Sequence, residues 1–257
     1  MKTKYVFSAL CFSLLFFCSF AHAVAVSDTS ATLTLDWDTY SSVVEWQTAD
    51  YSDYGTDANL DGVTDSNYRL IDGWQLNPVF TETAQVTADS VGTATNTYTS
   101  ATTIAHSRAD GIGTTTPPVE NVISSATSHR GKVFSPITDG EITFSFAYTM
   151  SQIFNQDFAT EVLSGWSIAE INLSLGGTNM GHDEAILNNT GTTETGFLTY
   201  TDYFYADSYY YLEGHVYTSA SANSPEQAAP IPEPSTMLLL SSGIMGLVWY
   251  GRKRKRA

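Results

Sequence analysis

The chain has 257 residues, with 11 Lys and Arg against 27 Asp and Glu, for a formal net charge of −16. A surface that acidic lacks the phosphate-neutralising cations that nucleic acid and anionic lipid demand, which excludes both as partners. The two cysteines, Cys11 and Cys18, sit near the start of the chain, so no disulfide staples the body that follows.

The first element is a secretory signal peptide over residues 1–23. Lys2 and Lys4 form its positive n-region, Val6 to Phe20 its apolar stretch, and Ala21-His22-Ala23 offers signal peptidase the small residues it needs, with cleavage after Ala23. The mature body then has no cysteine, and its stability must come from its core, from bound metal or from assembly.

Residues 31–37, ATLTLDW, place Leu33, Leu35 and Trp37 on one face and Thr32, Thr34 and Asp36 on the other, the period of a half-buried strand. Next comes Asp57-Ala58-Asn59-Leu60-Asp61-Gly62-Val63-Thr64-Asp65. Oxygen-bearing side chains at the first, third, fifth and ninth positions, with glycine at the sixth, match the opening of a calcium loop. The expected ligands are Asp57, Asn59, Asp61, the Val63 carbonyl and Asp65. Tyr68 stands where an EF-hand has its bidentate Glu and the flanks are not helical, so Asp53 or Asp72 would have to complete the shell.

Thr93, Thr95, Thr97 and Thr99 alternate as a strand would, putting four threonines on one face. Such arrays resemble ice-binding surfaces, but a flat ice surface needs several runs side by side, and this is one. Residues 109–120, with Pro117-Pro118, read as a loop because proline cannot donate to a ladder. Residues 141–150, EITFSFAYTM, read as a core strand with Ile142, Phe144, Phe146, Tyr148 and Met150 on one side. Residues 155–163 are the one plausible short helix. Further strands are expected over residues 168–175, 196–205 and 209–218, with turns at Asp139-Gly140 and Gly176-Gly177.

No segment completes a catalytic signature. His106, His129, His182 and His215 lack zinc-ligand spacing, and Gly165-Trp166-Ser167-Ile168-Ala169 starts like a nucleophile elbow but lacks the closing glycine. His182-Asp183-Glu184 reads as a polar loop. Carboxylates are so common here that some pair falls at glycosidase separation by chance. Tyr200, Tyr203, Tyr205, Tyr209, Tyr210, Tyr211 and Tyr217 crowd one region, divided between core packing and surface positions able to stack on sugar rings. Residues 219–230 are small, polar and Pro-containing, and read as a flexible spacer.

The C-terminal stretch, IPEPSTMLLLSSGIMGLVWYGRKRKRA, combines Pro232-Glu233-Pro234, an apolar run at about residues 236–251 and the basic cluster 252–256. The apolar run is shorter than the ~20 residues of a comfortable span, and the cations would hold its end on the cytoplasmic side. This order resembles the PEP-CTERM sorting signal of exported bacterial proteins, a segment also labelled as an ice-binding protein C-terminal domain. The resemblance implies cleavage by an exosortase near the Pro-Glu-Pro triplet and delivery to the cell surface or exopolysaccharide matrix, the apolar tail serving as a temporary membrane anchor. With both ends removed, Arg69, Arg108, Arg130 and Lys132 remain as the body's basic residues against 26 acids, a net charge near −22.

The expected architecture is thus all-β: one antiparallel β-sandwich over residues 24–222, with the jelly roll as one form of it, between a signal peptide and a 223–257 segment of spacer plus sorting signal carrying a single transmembrane helix. The expected role is structural or adhesive in exopolysaccharide or biofilm, with calcium as cofactor and no catalytic residues nominated. The alternatives are a carbohydrate-binding module, a secreted hydrolase and an ice-binding protein.

Overall fold

Alternation of inward and outward side chains runs through nearly the whole body, and it builds strands throughout. The computed structural model describes residues 24–60, 62–70, 80–97, 99–109, 119–156 and 161–225. Among them lie twelve strands: β1 (Ala25–Thr34), β2 (Val44–Leu60), β3 (Val63–Leu70), β4 (Phe80–Thr87), β5 (Ser90–Asn96), β6 (Ser100–Ala109), β7 (Val119–Pro136), β8 (Gly140–Asn155), β9 (Val162–Leu175), β10 (Thr178–Asn188), β11 (Thr193–Phe204) and β12 (Tyr210–Pro225). A single 3-10 turn, Trp37–Tyr40, follows β1. All belong to one unit, Ala23–Glu226. The expected signal peptide, sorting helix and basic tail lie outside the described residues, among which no helix is long and apolar enough to cross a membrane.

The strands form two six-stranded sheets, ordered β11-β8-β1-β6-β5-β4 and β10-β9-β12-β7-β2-β3. Every pairing is antiparallel. The sheets stack as a β-sandwich, as expected. The strands expected from large apolar residues all appear, and Gly176-Gly177 turns β9 into β10 with φ of +58° and +82°, which glycine alone adopts without strain.

The interior has two unlike halves. One is aromatic: Trp37, Phe134, Phe144, Phe146, Phe204 and Tyr210 are fully buried. Their rings meet mostly edge-on, with centroids 5.1 Å apart for Phe134 and Phe144 and 4.9 Å for Phe204 and Tyr210. The Trp46 indole donates to the Trp37 carbonyl at 2.8 Å. Where β1 stops at Thr34, the Tyr40 hydroxyl takes over as partner of β8, donating to the Ser145 carbonyl at 2.9 Å and accepting its N–H at 2.6 Å.

The other half is built from small residues. Ala25, Ser27, Ala105, Ser107, Ser124 and Ala220 face inward and are fully buried. Side chains this short let the sheets approach much closer than the ~10 Å usual for packed sheets. Serine hydroxyls of one sheet therefore reach carbonyls of the other. Ser27 donates to Ser164 at 2.7 Å, Ser107 to Ala220 at 3.0 Å, Ser124 to His106 at 2.8 Å and Ser90 to Ile123 at 3.0 Å. At Gly92 the approach is tightest: a Cβ there would sit 2.2 Å from the Ser125 carbonyl oxygen and 2.8 Å from that of Asp57.

Both lateral edges of the first sheet are capped by aspartates of the second. The Gln85 N–H on edge strand β4 donates to Asp65 at 2.9 Å, and the Thr199 N–H on edge strand β11 donates to Asp183 at 2.6 Å. An acid at each edge satisfies a free donor and deters a further strand from adding there.

Four expectations need correction. Asn155 closes β8, and Val162 and Leu163 open β9, so the ends of the expected helix are strand; residues 157–160 lie outside the described residues. Residues 219–225 are the last part of β12, paired to β7 and β9, because Ala220, Ala222 and Ser224 fill the narrow half of the core; the sandwich runs past the expected boundary at 222. The threonine run does not continue along one strand, since β5 ends at Asn96 and the Thr97 N–H turns back to the Ser100 carbonyl. Val119 and Glu120, placed in a loop, begin β7.

Because a Cβ at Gly92 meets backbone, which cannot rotate away, Gly92→Ala is expected to destabilise by about 3 kcal/mol, the upper part of the overpacking range. The denaturation midpoint of the variant measures it, and an unchanged midpoint contradicts close contact between the sheets.

Candidate functional site

The residues of the expected calcium loop form a hairpin. Leu60 pairs with Val63, Asn59 with Thr64, Ala58 with Asp65 and Asp57 with Ser66. Facing residues in a ladder point to the same side, so Asp65 shares the inner face with buried Ala58, while Asp57 and Asn59 face outward. The Asn59 amide oxygen is used inside the turn, accepting the Gly62 N–H at 3.1 Å. Val63 is exposed, and Asp61 lies outside the described residues. The paired hairpin thus splits Asp57 and Asn59 from Asp65 rather than wrapping them round one point. Asp72 lies outside the described residues, and Asp53 is engaged elsewhere. Among the described residues no group of three or more His, Cys, Asp or Glu is placed to hold a metal ion.

The richest cluster of titratable groups is on the outer face of the second sheet, where register assembles residues far apart in sequence. Asp53 faces His129, His129 faces His215, and His215 faces Glu170, a row across β2, β7, β12 and β9. Glu213 lies on the same face, two residues before His215. His129 sits between two carboxylates, with Nδ1 3.4 Å from Asp53 and Nε2 3.2 Å from Glu213. Burial disfavours charge on this ring, but the two carboxylates more than reverse that and push its pKa up to about 9. Burial would raise the pKa of Glu213, yet His129, aided by the Tyr211 hydroxyl, holds it below the usual carboxylate value. His215 is lowered, first by burial and then by the charge on His129, whose ring centroid is 5.3 Å away.

His215 also places Nε2 2.7 Å from the Thr127 hydroxyl and Nδ1 3.7 Å from Glu170. Hydroxyl, imidazole and carboxylate in that order have the outline of an activated nucleophile. Thr127, however, lies in a strand paired on both sides, to Gly55 and Tyr217, so nearby amides serve the ladder and offer no oxyanion hole. The cluster reads as a charged binding or stabilising face.

The other sequence candidates also find their places. Ser167 is fully buried in β9, which removes it as an exposed nucleophile. His182-Asp183-Glu184 is part of β10 and not a loop, with Asp183 serving as the edge cap. Of the crowded tyrosines, Tyr210 is core, whereas Tyr203, Tyr205 and Tyr209 are exposed. Tyr217 meets exposed Trp166 edge-on at 5.6 Å, beside the histidine row.

The shifts fix a pH profile. His129, raised above its ordinary 6.5, adds stability that is full below that value and is lost as pH climbs to about 9. His215, lowered, adds stability that is present above 6.5 and lost as pH falls. The melting temperature should peak near neutrality and decline toward pH 9, and His129→Gln should remove the alkaline decline; a flat wild-type profile contradicts the row. Millimolar calcium should leave the melting temperature unchanged if the hairpin stays paired, whereas a rise would mean that it opens round an ion.

Among known families, a model of the PEP-CTERM protein-sorting motif matches residues 230–255. No curated protein matches the chain. The match covers Pro232-Glu233-Pro234, the apolar run and most of the basic cluster in the order given above, so the chain carries a PEP-CTERM sorting motif, the mark of an exported protein processed by exosortase.

Proposed function

We propose that the protein is an exported bacterial cell-surface or extracellular-matrix component with a structural or adhesive role in exopolysaccharide. On this reading signal peptidase removes residues 1–23, exosortase removes the tail near Pro232-Glu233-Pro234, and the sandwich is left outside the cell. The observation that carries the proposal is the sorting motif at residues 230–255. The character of the body supports it. Arg130 and Lys132 are buried between the sheets, leaving an outer surface dominated by carboxylates that keeps an exported domain soluble and away from anionic lipid.

The exposed Trp166 with Tyr217 at its edge favours one finer reading, in which the outer face of the second sheet holds a matrix glycan by aromatic stacking, with Glu170 and Glu213 orienting it. Binding to the host's own exopolysaccharide tests that reading: Trp166→Ala should weaken it about tenfold, as loss of an aromatic anchor does.

Sorting is tested by the intact mass of the native protein together with its cell fraction. A mass lacking residues 1–23 and the basic tail, found outside the inner membrane, is the expected result. A membrane fraction whose mass retains residues 252–256 would replace sorting with a permanent anchor.

A further inference from the structure

The outer face of the first sheet is a different surface from the histidine face. Following register across all six strands, Thr81 faces Thr95, Thr95 faces Thr102, Thr102 faces Thr32, Thr32 faces Thr149 and Thr149 faces Thr195. This is an unbroken row of threonines from one edge to the other. A second row lies two residues along: Thr83, Thr93, Ile104, Ser30, Ser151 and Thr193. Sheet geometry spaces such positions about 4.8 Å apart across strands and about 6.8 Å along them. A single Thr-x-Thr strand is ordinary; several side by side in register supply the two-dimensional array that one run could not.

Three properties make this array more than a solvated sheet face. The hydroxyls are held in place, because β-branched threonine is stiff at χ1 and neighbours bond across strands, Thr95 to Thr81 at 3.2 Å, Thr32 with Thr102 at 3.2 Å, Thr83 with Thr93 at 3.0 Å and Ser151 with Thr193 at 3.0 Å. Each hydroxyl pair uses one donor and one acceptor, leaving a donor and further lone pairs for water at regular intervals. Charge is kept to the margins. Among the described residues the outward-facing charges of this sheet are the Asp28–His106 pair and Arg108 at one end and Glu141 at the other. On a chain of net charge −16 that is a selective exclusion. Apolar groups stay uncovered in the same plane, with Ile104 49%, Ile153 52% and Phe197 69% exposed.

Sheets usually twist, but side-chain ladders and stacking are the conditions that keep a wide sheet flat. Here the ladder spans six strands, and the second sheet lies against the first as far as both edges, where Asp65 and Asp183 are bonded.

We propose that this face binds ice. A rigid, uncharged, two-dimensional lattice of hydroxyls and methyls suits a partner that is itself rigid, neutral and periodic, since neither side then loses conformational freedom on contact. A flexible neutral glycan would call for aromatic platforms within the array, whereas the exposed rings of this sheet, Phe197 and Tyr203, lie only on edge strand β11 and the Trp166–Tyr217 pair lies on the opposite sheet. A second copy would bring together two strongly acidic bodies over a face with little continuous apolar area. The proposal goes beyond the sorting reading and uses it only to place the body where ice can form, so the ice assay and the mass measurement fail independently.

The test is ice growth in solutions of the native protein purified from its host, as wild type and with Thr102→Lys, Thr149→Lys and, as a control on the opposite sheet, Ile186→Lys, each confirmed as folded by circular dichroism. Wild type and Ile186→Lys should facet ice crystals and suppress recrystallisation at micromolar concentration. Thr102→Lys and Thr149→Lys, which put a charge into the array, should need at least about tenfold more protein for the same effect. Wild-type crystals growing as they do in buffer would overturn the proposal. So would full activity in both threonine variants, or a dimer or a neutral-glycan complex that Thr102→Lys disrupts.

Discussion

The structure depends on how closely the two sheets approach in the small-residue half of the sandwich. Gly92 lies against the backbone carbonyls of Ser125 and Asp57 with no room for a Cβ, and serines 27, 90, 107 and 124 bond across the gap from hydroxyl to carbonyl. Alanine and serine are used there because anything longer would force the sheets apart. Contact of this kind gives dispersion and hydrogen bonding rather than large apolar burial. The aromatic half supplies the burial, so the two halves divide the stabilisation of a sandwich that contains no cysteine and hence no internal disulfide.

The two outer faces of the sandwich have been given different chemistry. The second sheet gathers Asp53, His129, Glu213, His215 and Glu170 into a partly buried network, with His129 held between two carboxylates, beside Trp166 and Tyr217. The first sheet excludes charge from its centre and repeats threonine. Other acids sit at turns, as Asp139 does where it accepts the Ala206 N–H, and at the lateral edges, where Asp65 and Asp183 occupy free strand donors. Export and sorting explain why a body like this needs no cytoplasmic partner surface; they do not by themselves explain why one face is so uniform.

What was legible in the sequence followed residue size. Strands whose inward residues are large, such as β8 with Phe144 and Phe146 or β9 with Ile171 and Leu173, stand out by alternation. Strands that alternate Ala or Ser inside with Thr or Ser outside carry almost no hydropathy contrast. For that reason β6 drew no expectation and the end of β12 read as a spacer. The nine residues from Asp57 to Asp65 fit a calcium loop by composition, but Asp-Gly between alternating residues is equally a hairpin turn, and the described residues on either side pair as a ladder. Neither face could be read from local spacing. Positions 53, 129, 170 and 215 meet only through register, and the threonine row draws one residue from each of six strands. Sequence signalled the ingredient, Thr93 and Thr95, without its neighbours.

Since both faces rest on the contact between the sheets, the most direct measurement is the set of cross-sheet nuclear Overhauser effects at Gly92. The account predicts strong effects between the Gly92 Hα protons and backbone protons of the 57–58 and 125–126 segments, the distances expected when two backbones touch. Their absence, with the segments separated by the ~10 Å of ordinary sheet packing, would contradict it.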